Sequence, residues 1–149
     1  MMSGQTLQSE RMVQWADSDP AGRINSPRAF DFAAEAIEGF FRSQLGISYL
    51  QLIRNHNLGA PFVHASCDYL SSLLEGESVR LTLSIERLGT SSITWRVAAA
   101  HFDDGRPVFD VRMISTIISM NSGRAVPIPK DFRAAMAPYV IDAAVRVMP

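Results

Sequence analysis

The stretch VQWADSDPAGRINSPRAFDFAAEAIEGFF, running from Val13 to Phe41, decides the fold. It joins a strand-like run to a long apolar helix through an acidic turn. From Leu7 the pattern alternates, with Leu7, Ser9, Arg11, Val13 and Trp15 on one face and Met12 and Gln14 on the other. That spacing predicts a half-buried strand ending near Ala16. Asp17-Ser18-Asp19-Pro20-Ala21-Gly22 follows as a turn. Ser26-Pro27 reads as an N-cap with proline at the first helical position. Beyond it Phe30, Ala33, Ala34, Ile37, Phe40 and Phe41 recur at three- and four-residue spacing. They form one broad apolar stripe on a helix of about five turns, stopped at Gly46.

Outward from this stretch, Ser48 to Asn57 predicts a short second helix with Tyr49, Leu52 and Ile53 inward, closed by Gly59. Strands are expected from Pro61 to Leu70, Val79 to Leu88, Ser91 to Phe102 and Val108 to Met120. Asp103-Asp104-Gly105-Arg106 is a hairpin signal and Asn121-Ser122-Gly123 a further turn. Ile128-Pro129-Lys130-Asp131 leads into a terminal amphipathic helix. One long apolar helix beside one antiparallel sheet buries itself only if the sheet curls around it. The expected class is therefore α+β, a long central helix wrapped by a curved antiparallel sheet.

Composition narrows the function classes. The chain has 149 residues, 47% apolar and 19% charged, which is one ordinary globular domain spanning residues 1–149. A net charge of −1 leaves no excess positive field for phosphates, so no nucleic-acid partner is expected. Lys130 is the only lysine among 14 basic residues, a bias that fits codon composition better than phosphate recognition. A single cysteine, Cys67, excludes an intrachain disulfide and fits a reducing compartment. No apolar run approaches the roughly 20 residues that span a bilayer, and Met1 to Glu10 lacks the layout of a signal peptide. A cytoplasmic location without membrane attachment is expected. His56, His64 and His101 lack helical metal-site spacing, so no metal is expected. Cys67 points the same way as Val63 and Ala65 by alternation and reads as a small buried hydrophobe. No glycine-rich phosphate loop is present.

The acidic turn carries the chemistry. Helix N-termini leave N–H groups without intrahelical partners, so a carboxylate just upstream stands beside a site for developing negative charge. Asp17 reads as structural, capping the turn or the strand end; if close to Asp19, it would instead raise that residue's pKa. Glu35 and Glu38 lie beside the apolar stripe of the long helix, where Glu38 with Arg42 forms a favourable i, i+4 pair and Glu35 stands at the same spacing from the like charge of Asp31.

Val13-Gln14-Trp15-Ala16-Asp17-Ser18-Asp19-Pro20-Ala21-Gly22 resembles the opening motif of the 4-hydroxybenzoyl-CoA thioesterase family, which has the hotdog fold. The likeness extends to Cys67-Asp68-Tyr69-Leu70 with Gly76-Glu77, to Leu88-Gly89-Thr90-Ser91-Ser92, and to Ser122-Gly123-Arg124 through Ile128-Pro129. It covers about residues 11–135, the expected core of the domain.

The resemblance implies hydrolysis of an acyl-CoA thioester, with Asp19 as nucleophile or as general base toward water. It implies an oxyanion site at the N–H groups of Asn25 and Ser26. Resemblance to hotdog-fold thioesterases more broadly would make Glu35 the rival base to Asp19. His64 and Ser66 of the opposite subunit would line the acyl site. Ser91 and Ser92 would meet the pantetheine arm or an adjacent carbonyl, and Arg124, with Arg87 and Arg106, a CoA phosphate. Coenzyme A is then part of the substrate and no separate cofactor is expected. The assembly implied is a homo-oligomer, a dimer at least, with homotetramers common. The chain departs from the family at the helix entrance, where Asn25 and Ser26 replace an aromatic residue and alanine replaces the usual tyrosine. A catalytically silent acyl-CoA or acyl-carrier binder on the same fold is the alternative. A hydratase needs a histidine at the helix entrance, and Arg23 to Phe30 contains none.

Overall fold

The computed structural model describes residues 4–141. Its elements are β1 (Leu7–Met12), α1 (Arg28–Phe40), α2 (Tyr49–His56), β2 (Leu58–Gly59), β3 (Phe62–Tyr69), β4 (Ser78–Leu88), β5 (Ser92–His101), β6 (Pro107–Thr116), β7 (Ile118–Ser119) and α3 (Lys130–Met136). Five strands form one sheet in the order β1-β4-β5-β6-β3, with every pairing antiparallel. The short strands β2 and β7 pair separately. This is the hotdog arrangement: one long helix against the concave face of a curved antiparallel sheet.

Of the expected stripe Ala33, Ile37, Phe40 and Phe41 are fully buried, while Phe30 and Ala34 are only half-buried and Phe32, outside the expected set, is fully buried in their place. The fully buried residues meet Trp95, Val97, Leu83, Ile85, Phe109 and Val111 in a single apolar core. Phe40 stands edge-on to Trp95, with ring centroids 5.3 Å apart, and the Trp95 N–H donates to Ser115 Oγ at 2.9 Å. The only polar atom on that ring is thereby satisfied in the core.

The helix starts one residue later than expected. Pro27 occupies the N-cap position and no side chain caps the end, so Ser26 lies outside the helix in the preceding loop. At the far end one wide turn, Phe41–Leu45, leads into Gly46, whose φ of 66° makes it the expected stop. In α2, Ser48 and Gln51 form a reciprocal capping box. Asn57 at φ 55°, not Gly59, closes that helix. Leu52 is buried as expected, whereas Ile53 is 41% exposed, because so short a helix turns only a narrow face inward.

The first strand also ends early, at Met12 rather than Ala16. Val13 N–H leaves the ladder for the Glu77 carbonyl at 2.8 Å, and Trp15–Asp17 winds into one tight helical turn. Trp15 is therefore exposed instead of sharing the Val13 face. The other expected strands agree with β3 to β6 to within a few residues at their ends. Gly105, at φ 75°, and Gly123, at φ 72°, sit in the two expected turns.

Candidate active site

The acidic turn is held from three sides. Asp17, only 3% exposed, accepts from Gln14 N–H at 2.9 Å and from Arg11 Nη1 at 2.7 Å through one oxygen. Arg28 Nε stands 3.7 Å from its other oxygen. Burial opposes the charge on Asp17, but the hydrogen bonds from Arg11 and Gln14 and the neighbouring Arg28 outweigh it, and its pKa lies below the usual value. With two arginines answering its charge, Asp17 is a structural anchor. Arg11 also donates to both oxygens of Glu35, at 2.8 and 3.1 Å, and lies over the Phe32 ring. Glu35 is thus an ion-pair partner at the rim of a groove of about 440 Å³ between β1 and α1.

The second side is the turn's own backbone. Ser18 bridges Ile24, Asp19 N–H donates to the Arg23 carbonyl at 2.7 Å, and Asn25 N–H donates to the Asp17 carbonyl at 2.8 Å. The loop before β4 closes the third side. Ile24 N–H donates to Leu73 and Glu75 N–H to Gly22, at 2.8 and 2.9 Å. That loop is tied down in turn by Glu77, which accepts from Leu74 N–H and contacts the buried His101 ring at 2.9 Å. The Leu74 bond first, and then His101, hold the Glu77 carboxyl below its usual pKa.

Within this frame Asp19 is half-buried. One of its oxygens accepts from Ala21 N–H at 2.9 Å and from Arg23 N–H at 3.2 Å. No donor among the described residues meets the other. Gly22, at φ 80°, makes the tight return possible. Between Asp17 and Arg28 the backbone N–H groups are nearly all taken up, by carbonyls or by Asp19 itself. Among the described residues Ser26 N–H is the exception, with no acceptor. This corrects half of the expected oxyanion pair: the Asn25 N–H is spent on Asp17, which leaves that of Ser26.

The register of β3 sorts its side chains between the two faces of the sheet. Ala65, Cys67 and Tyr69 lie opposite Met113, Val111 and Phe109, whose side chains are buried on the α1 side of the sheet. His64 and Ser66 lie opposite Ile114 and Arg112, on the face turned away from α1. A strand's side chains alternate strictly, so membership of β3 alone could not fix which set faces the helix. Cys67 keeps its expected face, half-buried, and burial pushes its thiol pKa up. Tyr69, part of the Cys67-Asp68-Tyr69-Leu70 likeness but given no role from the sequence, donates its hydroxyl to the Ser26 carbonyl at 2.6 Å.

Ser91, Ser92 and Arg124 gather elsewhere. Ile117 N–H donates to the Ser91 carbonyl, Ser92 pairs with Thr116, and Ser119 N–H donates to the Arg124 carbonyl. This cluster adjoins the Phe62 end of β3, since Phe62 pairs with Ser115, while Ser26 adjoins the Tyr69 end. The two ends are about 20 Å apart along the strand. Arg87 and Arg133 line an open groove of about 480 Å³ near Gly89 and Thr90. Arg106 donates to Asp104 at 2.9 Å and to the Ser72 carbonyl at 3.1 Å. Among the described residues no cluster of three or more His, Cys, Asp or Glu residues suits a metal ion. No helix there is long and apolar enough to cross a membrane.

Comparison with known proteins places this geometry. Residues 13–136 match the model of the thioesterase-like superfamily, and the chain belongs to that superfamily. Over 82 residues it is 34% identical to 1,4-dihydroxy-2-naphthoyl-CoA hydrolase of Thermosynechococcus vestitus (strain NIES-2133 / IAM M-273 / BP-1), covering 55% of this chain. The match spans 56% of that relative's length. A solved gentisyl-coenzyme A thioesterase is 26% identical, with a TM-score of 0.75 over 88% of this chain and 99% of its own. A 1,4-dihydroxy-2-naphthoyl-CoA thioesterase from Synechocystis shares the fold at a TM-score of 0.83 and 21% identity, over 89% of this chain and 96% of its own. These findings set the family at the superfamily level, broader than the 4-hydroxybenzoyl-CoA thioesterase family that the motif resembles.

Proposed function

We propose that this protein is an acyl-CoA thioesterase that hydrolyses aromatic acyl-CoA thioesters to the free acid and coenzyme A. One observation carries the reading: a half-buried carboxylate with one oxygen that no described donor meets, Asp19, shares the Asp17–Arg28 segment with Ser26 N–H, the one amide of that segment without an acceptor among the described residues. In such a site the thioester oxygen accepts from Ser26 N–H, and negative charge developing on it is stabilised there. Asp19 either attacks the carbonyl carbon, giving an anhydride that water then opens, or takes a proton from an attacking water. The C–S bond breaks in both routes and the CoA thiolate leaves. Coenzyme A belongs to the substrate, so the proposal needs no resident cofactor, and it places the reaction in the cytoplasm.

Two further observations shape the substrate and the assembly. The gentisyl and dihydroxynaphthoyl thioesters of the relatives carry hydroxylated rings, and here the exposed Asn25 and Ser26 offer a polar wall at the helix entrance. Among the described residues the outer edge of β3 has no partner strand and exposes Phe62, Val63 and Tyr69. Antiparallel pairing of two such edges buries them and sets the Tyr69 end of one protomer against the Phe62 end of its partner. The Asp19 site and the Ser91, Ser92 and Arg124 cluster, distant within one chain, then come together between two. The α1 side of the partner's β3, with its Ala65 and Cys67 positions, would line the acyl pocket in place of His64 and Ser66.

The test is thiol release by the native protein from benzoyl-, 4-hydroxybenzoyl-, gentisyl-, dihydroxynaphthoyl- and straight-chain acyl-CoA. The proposal expects the hydroxylated aromatic thioesters to exceed the straight chains at least tenfold in kcat/KM. Tight acyl-CoA binding with no thiol release would overturn it in favour of a silent binder.

A further inference from the structure

We infer that Tyr69 is a positioning residue for the oxyanion donor, its hydroxyl fixing the direction in which Ser26 N–H points. The inference rests on the proposed thioesterase reading and goes beyond it to a residue outside the acidic motif.

The argument lies in how the peptide units around Ser26 are held. The Asn25 N–H is pinned to the Asp17 carbonyl at 2.8 Å, and the Asn25 carbonyl accepts from Arg28 N–H at 2.8 Å. The next unit, between Ser26 and Pro27, has no N–H because its nitrogen belongs to proline. Its carbonyl is its only polar handle. That carbonyl accepts a long turn bond from Ala29 N–H at 3.2 Å and the short bond from the Tyr69 hydroxyl at 2.6 Å. The phenol therefore supplies the firmer anchor on the helix side of Ser26, while Asp17 supplies the one on the turn side.

Tyr69 suits this task. It ends β3 on the face toward α1, opposite the buried Phe109, and the tie reaches across 43 residues of chain. Partial desolvation, with the neighbouring Cys67 thiol, pushes the phenol's pKa further above a value already well over neutral, and the hydroxyl is a donor at pH 7. Because β3 is the edge strand, the same side chain links the proposed subunit contact to the amide that would receive the oxyanion.

Tyr69→Phe keeps the ring and removes the hydroxyl. Two readouts are needed: amide hydrogen exchange across residues 24–30, and steady-state hydrolysis of an accepted aromatic acyl-CoA. The inference expects exchange at Arg28 and Ala29, whose N–H groups are bonded to the Asn25 and Ser26 carbonyls, to quicken at least threefold. It expects kcat to fall about tenfold with KM within twofold, as for a misaimed rather than absent donor. Melting should drop by no more than about 4 °C, the scale of one lost hydrogen bond. Unchanged exchange would overturn the inference whatever the activity. So would a native-like kcat in Tyr69→Phe beside a loss in Tyr69→Leu, which would assign the effect to the ring. A native protein without turnover would sink the thioesterase reading, and the kinetic part of this inference with it; exchange would still decide whether Tyr69 holds the Ser26 peptide.

Discussion

A carboxylate with two arginines around it and another with one oxygen unengaged stand two positions apart in this chain, and their environments divide the labour. Asp17 is buried against Arg11 and Arg28, so removing its charge leaves Arg11 without one of its partners. Asp17→Asn is expected to cost about 3 kcal/mol at neutral pH, measured by urea unfolding. The sign of the pH dependence follows from the direction of the shift. Asp17's folded-state pKa is lowered, so its contribution is present above the unfolded value of about 4 and is lost as pH falls through the folded one. The gap between native and Asp17→Asn should hold constant from about pH 8 to 5 and narrow below about 4. A gap that instead widened in acid would contradict the ion-pair account. The acidic turn and the Ser26-Pro27 helix entrance were legible in the motif. The commitment of Asn25 N–H was not, because its acceptor is a carbonyl eight positions upstream that only the folded hairpin brings near.

At the scale of elements, periodicity revealed α1 and the long strands, since one face of each meets a single continuous core. It failed where local chemistry competes with the pattern. Alternation continued through Trp15, yet the Asp17 carboxylate captured Gln14 N–H and turned the strand into a helical turn. For β3 the alternation itself was readable, but the choice of inward face depends on pairing with β6, a contact distant in sequence. Cys67 and Tyr69 therefore share the α1 side of that strand, and His64 and Ser66 the other. Its unpaired edge leads to a prediction. Val63 is 62% exposed, and Val63→Glu would put a carboxylate into a paired β3 edge. Sedimentation should then show the 16.4 kDa chain as a monomer, with activity down at least tenfold. A fully active monomer would contradict the shared site.

Seen as a whole molecule, the sheet does more than enclose α1. Strand β4's preceding loop, β1 and the edge strand β3 each send a hydrogen bond or ion pair to the segment between Asp17 and Ser26. That segment is consequently fixed by tertiary contacts rather than by its own propensity, as electrostatic preorganisation requires. The fold was legible because a lone apolar helix next to antiparallel strands leaves few ways to bury it. The clamp around the turn was not, because its members are scattered from Arg11 to His101. The central claim is that Asp19 performs the chemistry beside Ser26 N–H. It is tested most directly by comparing native protein with Asp19→Asn on a hydroxylated aromatic acyl-CoA, following thiol release with folding checked by circular dichroism. The account predicts a loss of kcat of at least a hundredfold with the fold intact. Equal turnover in the two proteins would contradict it and return attention to Glu35.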